Sequence, residues 1–190
     1  MSALSQSDTK KSLASLLRLN GENFMTFVKS NIESDLVRAF HDLGADEQLA
    51  LFWFVYTEMG NSVTPAAPGA STVSPEIAEG LFNQVKELPQ EEQLNVQRDL
   101  INRRNTLLSR EYGALSNTTK LLFWYRLAQG MDSGTIIPMP ADYQLADDAK
   151  QVLEQIKQLE FEKQIAVLRD IVAPMGVDPA IADHDEVTGL

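Results

Sequence analysis

Apolar residues recur at intervals of three and four along the chain, and no segment sustains a period-two alternation, so the pattern predicts an all-helical protein. Leu13, Leu16 and Leu17 mark a first amphipathic stretch that stops at Asn20-Gly21. Phe24, Phe27 and Val28 lead into Ile32, Leu36, Val37, Phe40 and Leu43, where Gly44 supplies a C-terminal stop. Asp46 is expected to cap the next helix, which runs to Gly60. Ser74-Pro75-Glu76 joins an N-cap, a proline at the first helical position and an acid near the positive helix end, and opens a helix carrying Ile77, Leu81, Val85 and Leu88. Pro89 breaks it. Further helices are expected around Leu94 to Arg104 and Leu107 to Tyr112. Ser116-Asn117 then starts one with Leu121, Trp124, Tyr125, Ala128 and Met131, which Gly134 ends. The last two run through Val152-Leu153-Ile156 and Phe161-Ile165-Leu168-Val172 and close near Pro174-Met175-Gly176. Between them lie two linkers: residues 61 to 75, with three prolines, one glycine and no charge, and residues 135 to 145 around Pro138-Met139-Pro140.

Two helices differ from the rest in their aromatic content. Leu49, Phe52, Trp53 and Tyr56 fall at i, i+3, i+4 and i+7, while Leu51, Phe54 and Val55 fill the opposite side. The second carries Leu121, Trp124, Tyr125, Ala128 and Met131 on one stripe, with Leu122 and Phe123 beside it. A helix apolar all round must be covered from more than one direction. Burial alone accounts for such stripes, since a fully buried large side chain contributes roughly 1.5–3 kcal/mol without any ligand. The text Leu51-Phe52-Trp53-Phe54 returns as Leu122-Phe123-Trp124-Tyr125, each time mid-helix and followed by a proline-bearing linker, which suggests two subdomains with an aromatic helix each.

Composition narrows the chemistry. At 190 residues the chain suits one good-sized domain or two small bundles sharing a core. Against 27 acidic residues there are 16 basic ones, and the net charge of -11 speaks against nucleic acid and anionic membrane as partners. With no cysteine, disulfides, thiolate nucleophiles and iron–sulfur clusters are excluded. His41 and His184 are the only histidines and lack neighbouring donors, so no metal site is expected. There is no Gly-rich phosphate loop and no Gly-x-Ser-x-Gly, and acid pairs such as Asp147-Asp148 point apart on a helix. Asn117-Thr118-Thr119 matches a glycosylation sequon but serves more simply as a helix start. Met1-Ser2-Ala3-Leu4 begins no signal-like segment, and the longest apolar run, Leu49 to Tyr56, is too short for a bilayer crossing. The expectation is a soluble, cytoplasmic, non-enzymatic protein that does not span a membrane.

At the two aromatic helices the sequence resembles the N-terminal carotenoid-binding domain of the orange carotenoid protein, and most closely the stand-alone helical carotenoid proteins of cyanobacteria. The resemblance rests on Asp46-Glu47-Gln48-Leu49-Ala50-Leu51-Phe52-Trp53-Phe54-Val55-Tyr56-Thr57-Glu58-Met59-Gly60 and Ala66-Ala67-Pro68-Gly69-Ala70. Farther on, Lys120-Leu121-Leu122-Phe123-Trp124-Tyr125, Met131-Asp132-Ser133-Gly134 and Val167-Leu168-Arg169 match again. The similarity runs from about residue 31 to 176. It implies 31–176 as a two-subdomain carotenoid-binding domain; residues 1–30, unmatched, are expected to form an N-terminal helical extension, and 177–190 a tail. The implied fold is a pair of interleaved four-helix bundles around a central apolar tunnel. A helix of about 14 residues is only ~21 Å long, so a rod-like pigment longer than that must cross both bundles.

Carried over by matching position, Trp53, Tyr56 and Trp124 would stack on the pigment's end ring, with Leu49, Phe52, Tyr125, Met131 and Met139 lining the tunnel. Ala128, Ile165 and Val172 join the expected pigment-binding set, and Gly69 would let backbone come close to the ligand. Arg169 matches an arginine that pairs with the C-terminal domain in two-domain members; without that domain in this sequence, switching by domain separation is not expected of it alone. Pro65 departs from the family's usual aliphatic residue. The implied cofactor is a ketocarotenoid, canthaxanthin, echinenone or 3'-hydroxyechinenone. Three roles follow from the resemblance: a photoprotective quencher of singlet oxygen, an effector docking on the phycobilisome antenna near the thylakoid, and a carotenoid carrier, with a separate C-terminal-domain homologue as a further partner. Arg98, Arg103, Arg104 and Arg110 form a local basic patch that suits an acidic antenna, or simply a solvated helix face.

Overall fold

The computed structural model describes residues 32–60 and 75–180. The chain divides into two compact units, Met1–Asp35 and Leu36–Leu190. Among the described residues there are helices and no strand, as the periodicity requires. They are α1 (residues 32–41), α2 (Ala45–Met59), α3 (Pro75–Lys86), α4 (Gln90–Ile101), α5 (Leu107–Gly113), α6 (Asn117–Asp132), α7 (Asp147–Lys157) and α8 (Phe161–Val172). The amphipathic stretch at Leu13, residues 61–74 of the expected linker 61–75 and residues 181–190 of the expected tail 177–190 lie outside the described residues.

Several boundaries follow the expected chemistry. Ser116 caps α6, its Oγ accepting from the Thr119 N–H, and Thr106 caps α5 through Ser109, each such cap being worth about 1 kcal/mol. Pro75 is the first residue of α3, and Gly134 follows α6 with a φ of 75°. Others do not. The N-cap of α2 is Gly44, with extended backbone and no side-chain cap, so Gly44 opens α2 rather than stopping α1, which ends at residue 41. Asp46 does not cap. It sits in the first turn of α2, and its carboxylate takes a two-pronged contact from Arg98 of α4, at 2.7 and 2.9 Å. A fork partner offers two charge-assisted bonds, and in the first turn the carboxylate keeps its favourable place against the helix dipole. The cap thus loses to a long-range pair. Helix α4 begins at Gln90, four residues before Leu94, because Pro89 occupies its N-cap position; it ends at Ile101, before Arg103 turns to a φ of 52°.

The two aromatic helices occupy the centre. Helix α6 packs on α2, α3 and α8, and α2 packs on α4, α6 and α7, while α4 and α5 pack on each other and on α3, and α7 packs on α8. One contiguous apolar core, from Leu36 and Phe40 to Ile171 and Met175, runs through these contacts. Gly130 sets how closely α6 approaches its neighbours: a Cβ there would meet the Ile136 side chain, with Phe82 of α3 at 3.1 Å. Gln48 is buried and donates from Nε2 to the Leu43 carbonyl at 2.8 Å, fixing the turn between α1 and α2.

Lys120 is buried as well, an unusual place for an ammonium. Its Nζ donates to the carbonyls of Ala173 and Met175, at 2.7 and 3.0 Å, and lies 5.2 Å from the Tyr112 ring centroid. Those carbonyls lie just beyond the end of α8, where the negative end of the helix dipole favours a cation. Burial nevertheless lowers the pKa of Lys120, with Asp178 acting the other way.

Two predictions follow. Replacing Lys120 by Met leaves two carbonyls without their donor, so it should destabilise the fold by about 1–3 kcal/mol, measured by urea unfolding. His41, at the end of α1, has its pKa lowered by burial and then by Arg103, against Asp42 and the Ile171 backbone. The unfolded chain therefore takes up this proton first as pH falls through about 6.5. The contribution is fully present above that value and is lost as pH falls towards the lower folded value. The melting temperature should decline from about pH 7 to pH 5, and His41→Gln should flatten that limb. The acid loss tied to Asp46, whose pKa the Arg98 hydrogen bond lowers, lies at still lower pH and should remain.

Candidate functional site

Phe52 and Trp124 join α2 to α6 by a stacked contact, centroids 4.7 Å apart and planes 16° from parallel. Phe40 leans on Phe52 at 5.2 Å, and Phe123 and Tyr112 meet Trp124 edge-on at 6.0 and 6.4 Å. The indole Nε1–H donates to the Tyr112 hydroxyl at 2.8 Å in a buried hydrogen bond. A second row runs beside the first: Trp53 against Tyr56 at 5.9 Å, and Tyr56 against Tyr125 of α6 at 5.6 Å. Pairs of this kind are worth about 0.5–1.5 kcal/mol beyond burial, and two of them cross from α2 to α6.

The rows differ in exposure. Phe52 and Trp124 are buried, whereas Trp53, Tyr56 and Tyr125 are half-buried. The sequence puts Leu49, Phe52, Trp53 and Tyr56 on one stripe of α2; Leu49 and Phe52 of that stripe are buried together with Gln48, Ala50, Leu51, Val55 and Met59, whereas Trp53 and Tyr56 are only half-buried. Burial, then Asp132 and Tyr125, raises the Tyr56 phenol above its ordinary pKa, so it stays neutral at physiological pH. Leu121, Leu122, Met131, Ile137 and Met139 are half-buried and pack against the core.

The remaining expected residues are spread more widely. Leu49 and Val172 are buried in the contiguous core. Ala128 of α6 and Ile165 of α8 are also buried but stand outside that cluster. Arg169, in the last turn of α8, is half-buried with its Nε enclosed and without a hydrogen-bond partner. Gly69 lies outside the described residues. The structure thus gathers Phe52, Trp53, Tyr56, Trp124 and Tyr125 into one aromatic junction; Ile165, Arg169 and Val172 sit on α8, which packs on α6.

The other candidate chemistry gives less. Among the described residues, no three His, Cys, Asp or Glu side chains gather as metal ligands, and no helix is long and apolar enough to cross a membrane. His41 is half-buried and lines a cavity of about 520 Å³ with Gln48, Arg103 and Met175. The four arginines do not act as one patch. Arg98 pairs with Asp46 and Arg110 donates to Asn105, which leaves Arg103 and Arg104 exposed in the turn after α4. Tyr112, Phe40 and Lys120 are the residues that sequence reasoning did not place at this junction. Phe40 could have been found as the last large apolar residue before the turn into α2; Tyr112, a lone aromatic on a seven-residue helix, gives no periodic signal.

Known proteins resemble this chain in sequence and fold. The family model for the orange carotenoid protein N-terminal domain matches residues 26–178. An orange carotenoid-binding domain-containing protein of Nostoc sp. strain PCC 7120 is 52% identical over 143 residues, covering 75% of this chain and 82% of that protein. The orange carotenoid-binding protein of Synechocystis sp. strain PCC 6803 is 40% identical over 153 residues, which is 80% of this chain but 48% of that one. Among solved structures, the Anabaena (Nostoc) sp. PCC 7120 red carotenoid protein binding canthaxanthin superposes with a TM-score of 0.70 at 57% identity, over 77% of this chain and 99% of the other. The orange carotenoid protein of that organism, also binding canthaxanthin, gives a TM-score of 0.70 at 44% identity over 80% of this chain and 47% of the other. The chain belongs to the family of orange carotenoid protein N-terminal domains. It spans about half the length of the longer relatives.

The exposure difference predicts a fluorescence result. In pigment-free protein, Trp53→Phe leaves only the buried Trp124, whose emission should be blue-shifted and poorly quenched by acrylamide. Trp124→Phe leaves Trp53, which should be redder and more readily quenched.

Proposed function

We propose that this chain is a water-soluble ketocarotenoid-binding protein whose pigment rests against the aromatic junction of α2 and α6 and protects by quenching singlet oxygen. The observation that carries this reading is the half-buried row Trp53, Tyr56 and Tyr125, set on two crossing helices in a chain of this family. Such a row suits a conjugated, largely apolar ligand. Rings offer flat stacking surfaces, and the half-buried Leu121, Leu122, Met131 and Met139, which pack against the same core, offer adaptable apolar side chains. The canthaxanthin complex of the red carotenoid protein, at 57% identity, supports a ketocarotenoid as the ligand class.

On this reading the residues divide their work. Trp53, Tyr56 and Trp124 stack on an end ring, Leu49, Phe52 and Tyr125 line the site beside them, and Met131 and Met139 follow the polyene. Ala128, Ile165 and Val172 complete the lining of a tunnel through both subdomains. The bound carotenoid supplies the chemistry by accepting the excitation energy of singlet oxygen and releasing it as heat. No side chain has to act as acid, base or nucleophile, and the neutral Tyr56 phenol keeps charge away from the polyene.

A second reading, docking on the phycobilisome antenna, draws support from Arg103 and Arg104, which are exposed together in the turn after α4. Arg169, with its enclosed and unpartnered Nε, suits contact with a separate C-terminal-domain homologue.

The test is expression in a host that makes canthaxanthin or echinenone, followed by absorption spectroscopy and solvent extraction. A broad, red-shifted band that co-elutes with the protein is expected, and the loaded protein should quench singlet oxygen. Removing the indole in Trp124→Ala should weaken pigment retention by roughly tenfold, the equivalent of about 1.4 kcal/mol. A colourless protein from a pigment-rich host overturns the reading. Full loading with an unchanged spectrum in Trp124→Ala overturns the assignment of Trp124. For docking, loss of antenna fluorescence on mixing at low salt is expected to need Arg103 and Arg104.

A further inference from the structure

We propose that Tyr112 is the positioning residue of the pigment site, holding the Trp124 indole in one orientation and thereby setting the absorption of the bound carotenoid. The proposal rests on the carotenoid reading above and concerns a residue that contributes no surface to the half-buried row.

Trp124 is held against α2 by its stack on Phe52, which fixes the tilt of the indole plane. Stacked rings are attracted over a broad range of offsets, so stacking alone leaves the indole free to slide and rotate within its own plane. The Nε1–H bond to Tyr112 removes that freedom, because it is directional and lies in the indole plane, at 2.8 Å and away from water.

The acceptor is itself fixed. Tyr112 has 0% exposure. Its ring meets Phe123 edge-on at 5.4 Å and lies under the Lys120 ammonium, which is tied to the Ala173 and Met175 carbonyls. Gly176, at a φ of 77°, also stands against the ring: an added Cβ there would come 2.6 Å from Tyr112 Cδ1. Backbone therefore occupies the space into which the ring would have to move. Orientation passes from the end of α8, through the Tyr112 ring and hydroxyl, to the indole. A polyene's absorption depends on how far its end ring is turned out of conjugation, and that angle is set by the walls around it. The stack holds the face of that wall, and the hydrogen bond holds its outline, which in-plane rotation or sliding of the indole would move.

The experiment compares wild type, Tyr112→Phe and Phe123→Leu, each produced with canthaxanthin and also pigment-free. Tyr112→Phe removes one oxygen and keeps the ring. Phe123→Leu loosens the packing around both rings but keeps the hydrogen bond. With two tryptophans in the chain, the pigment-free proteins give two indole N–H resonances. In Tyr112→Phe one should move upfield and exchange faster with solvent. The loaded Tyr112→Phe protein should keep its pigment stoichiometry while its main band shifts by several nanometres or broadens. Phe123→Leu should lower the melting temperature without that shift.

An indole resonance unmoved in Tyr112→Phe overturns the proposal, as does a moved resonance with an unchanged spectrum. An equal spectral shift in Phe123→Leu overturns it too, since packing alone would then explain the colour. A wild type that stays colourless overturns the carotenoid reading and this proposal with it, whereas a coloured wild type with an insensitive Tyr112→Phe variant overturns this proposal alone. Should Tyr112→Phe fail to fold, benzothienylalanine at position 124, which replaces the indole N–H by sulfur, removes the donor instead and is read by the same spectra.

Discussion

The stack of Phe52 on Trp124 is the contact around which the described part of the molecule is arranged. It joins two helices that are apolar on nearly every side, and each must therefore be covered by several neighbours. Helix α2 finds that cover in α4, α6 and α7, and α6 in α2, α3 and α8. Because one ring pair is shared, the two sets of neighbours close on a common centre. The same geometry leaves Trp53, Tyr56 and Tyr125 at the margin of the junction, where they are too apolar for a purely solvated surface and too exposed to be core. A ligand that prefers aromatic faces to water fits such a margin.

A second constraint holds the far side of α6. Lys120 uses its charge on two carbonyls beyond α8 rather than on a carboxylate, so the end of that helix is fixed by donors instead of an ion pair. Gly176 and Gly113 fit into the same corner: a Cβ at Gly113 would meet the Val177 backbone, and one at Gly176 the Tyr112 ring. Small residues and a buried cation thus bring the backbone close to Tyr112. The outer ion pairs, Arg98 with Asp46 and Lys157 with Glu58 and Glu154, sit on exposed or half-exposed side chains. Solvent screening leaves such pairs little weight in stability, and they align helices that the core already holds.

Much of this was legible in the sequence. Helix positions followed from spacing because amphipathic helices carry their packing instructions at i, i+3 and i+4, and Ser116 and Pro75 announced their roles by residue type alone. The aromatic helices identified themselves by density, and their text supplied the family. What stayed hidden depends on distance in the chain. Nothing local tells Asp46 to leave the cap for Arg98, 52 residues away, or tells Lys120 to seek carbonyls 53 and 55 residues on. The split of one aromatic stripe into a buried row and a half-buried row was equally invisible, since it depends on which side of α2 meets α6. Tyr112 shows the limit most clearly. Its importance lies in a single hydrogen bond to a residue on another helix, and no pattern on its own short helix records it.

The spacing of the central contact also governs how the chain is made. Phe52 and Trp124 are separated by 72 positions, and Glu47 reaches Tyr143 across 96. At the ~5–20 residues per second of protein synthesis, α2 leaves the ribosome roughly 4–14 s before α6 arrives to cover it. Throughout that interval the helix bearing Phe52, Trp53, Phe54 and Tyr56 lacks its α6 face, although Phe40 precedes it and α4 emerges in time to cover another side. Assembly therefore waits for its later half, and whatever apolar molecule or chaperone meets the chain in that interval meets α2 before α6 does.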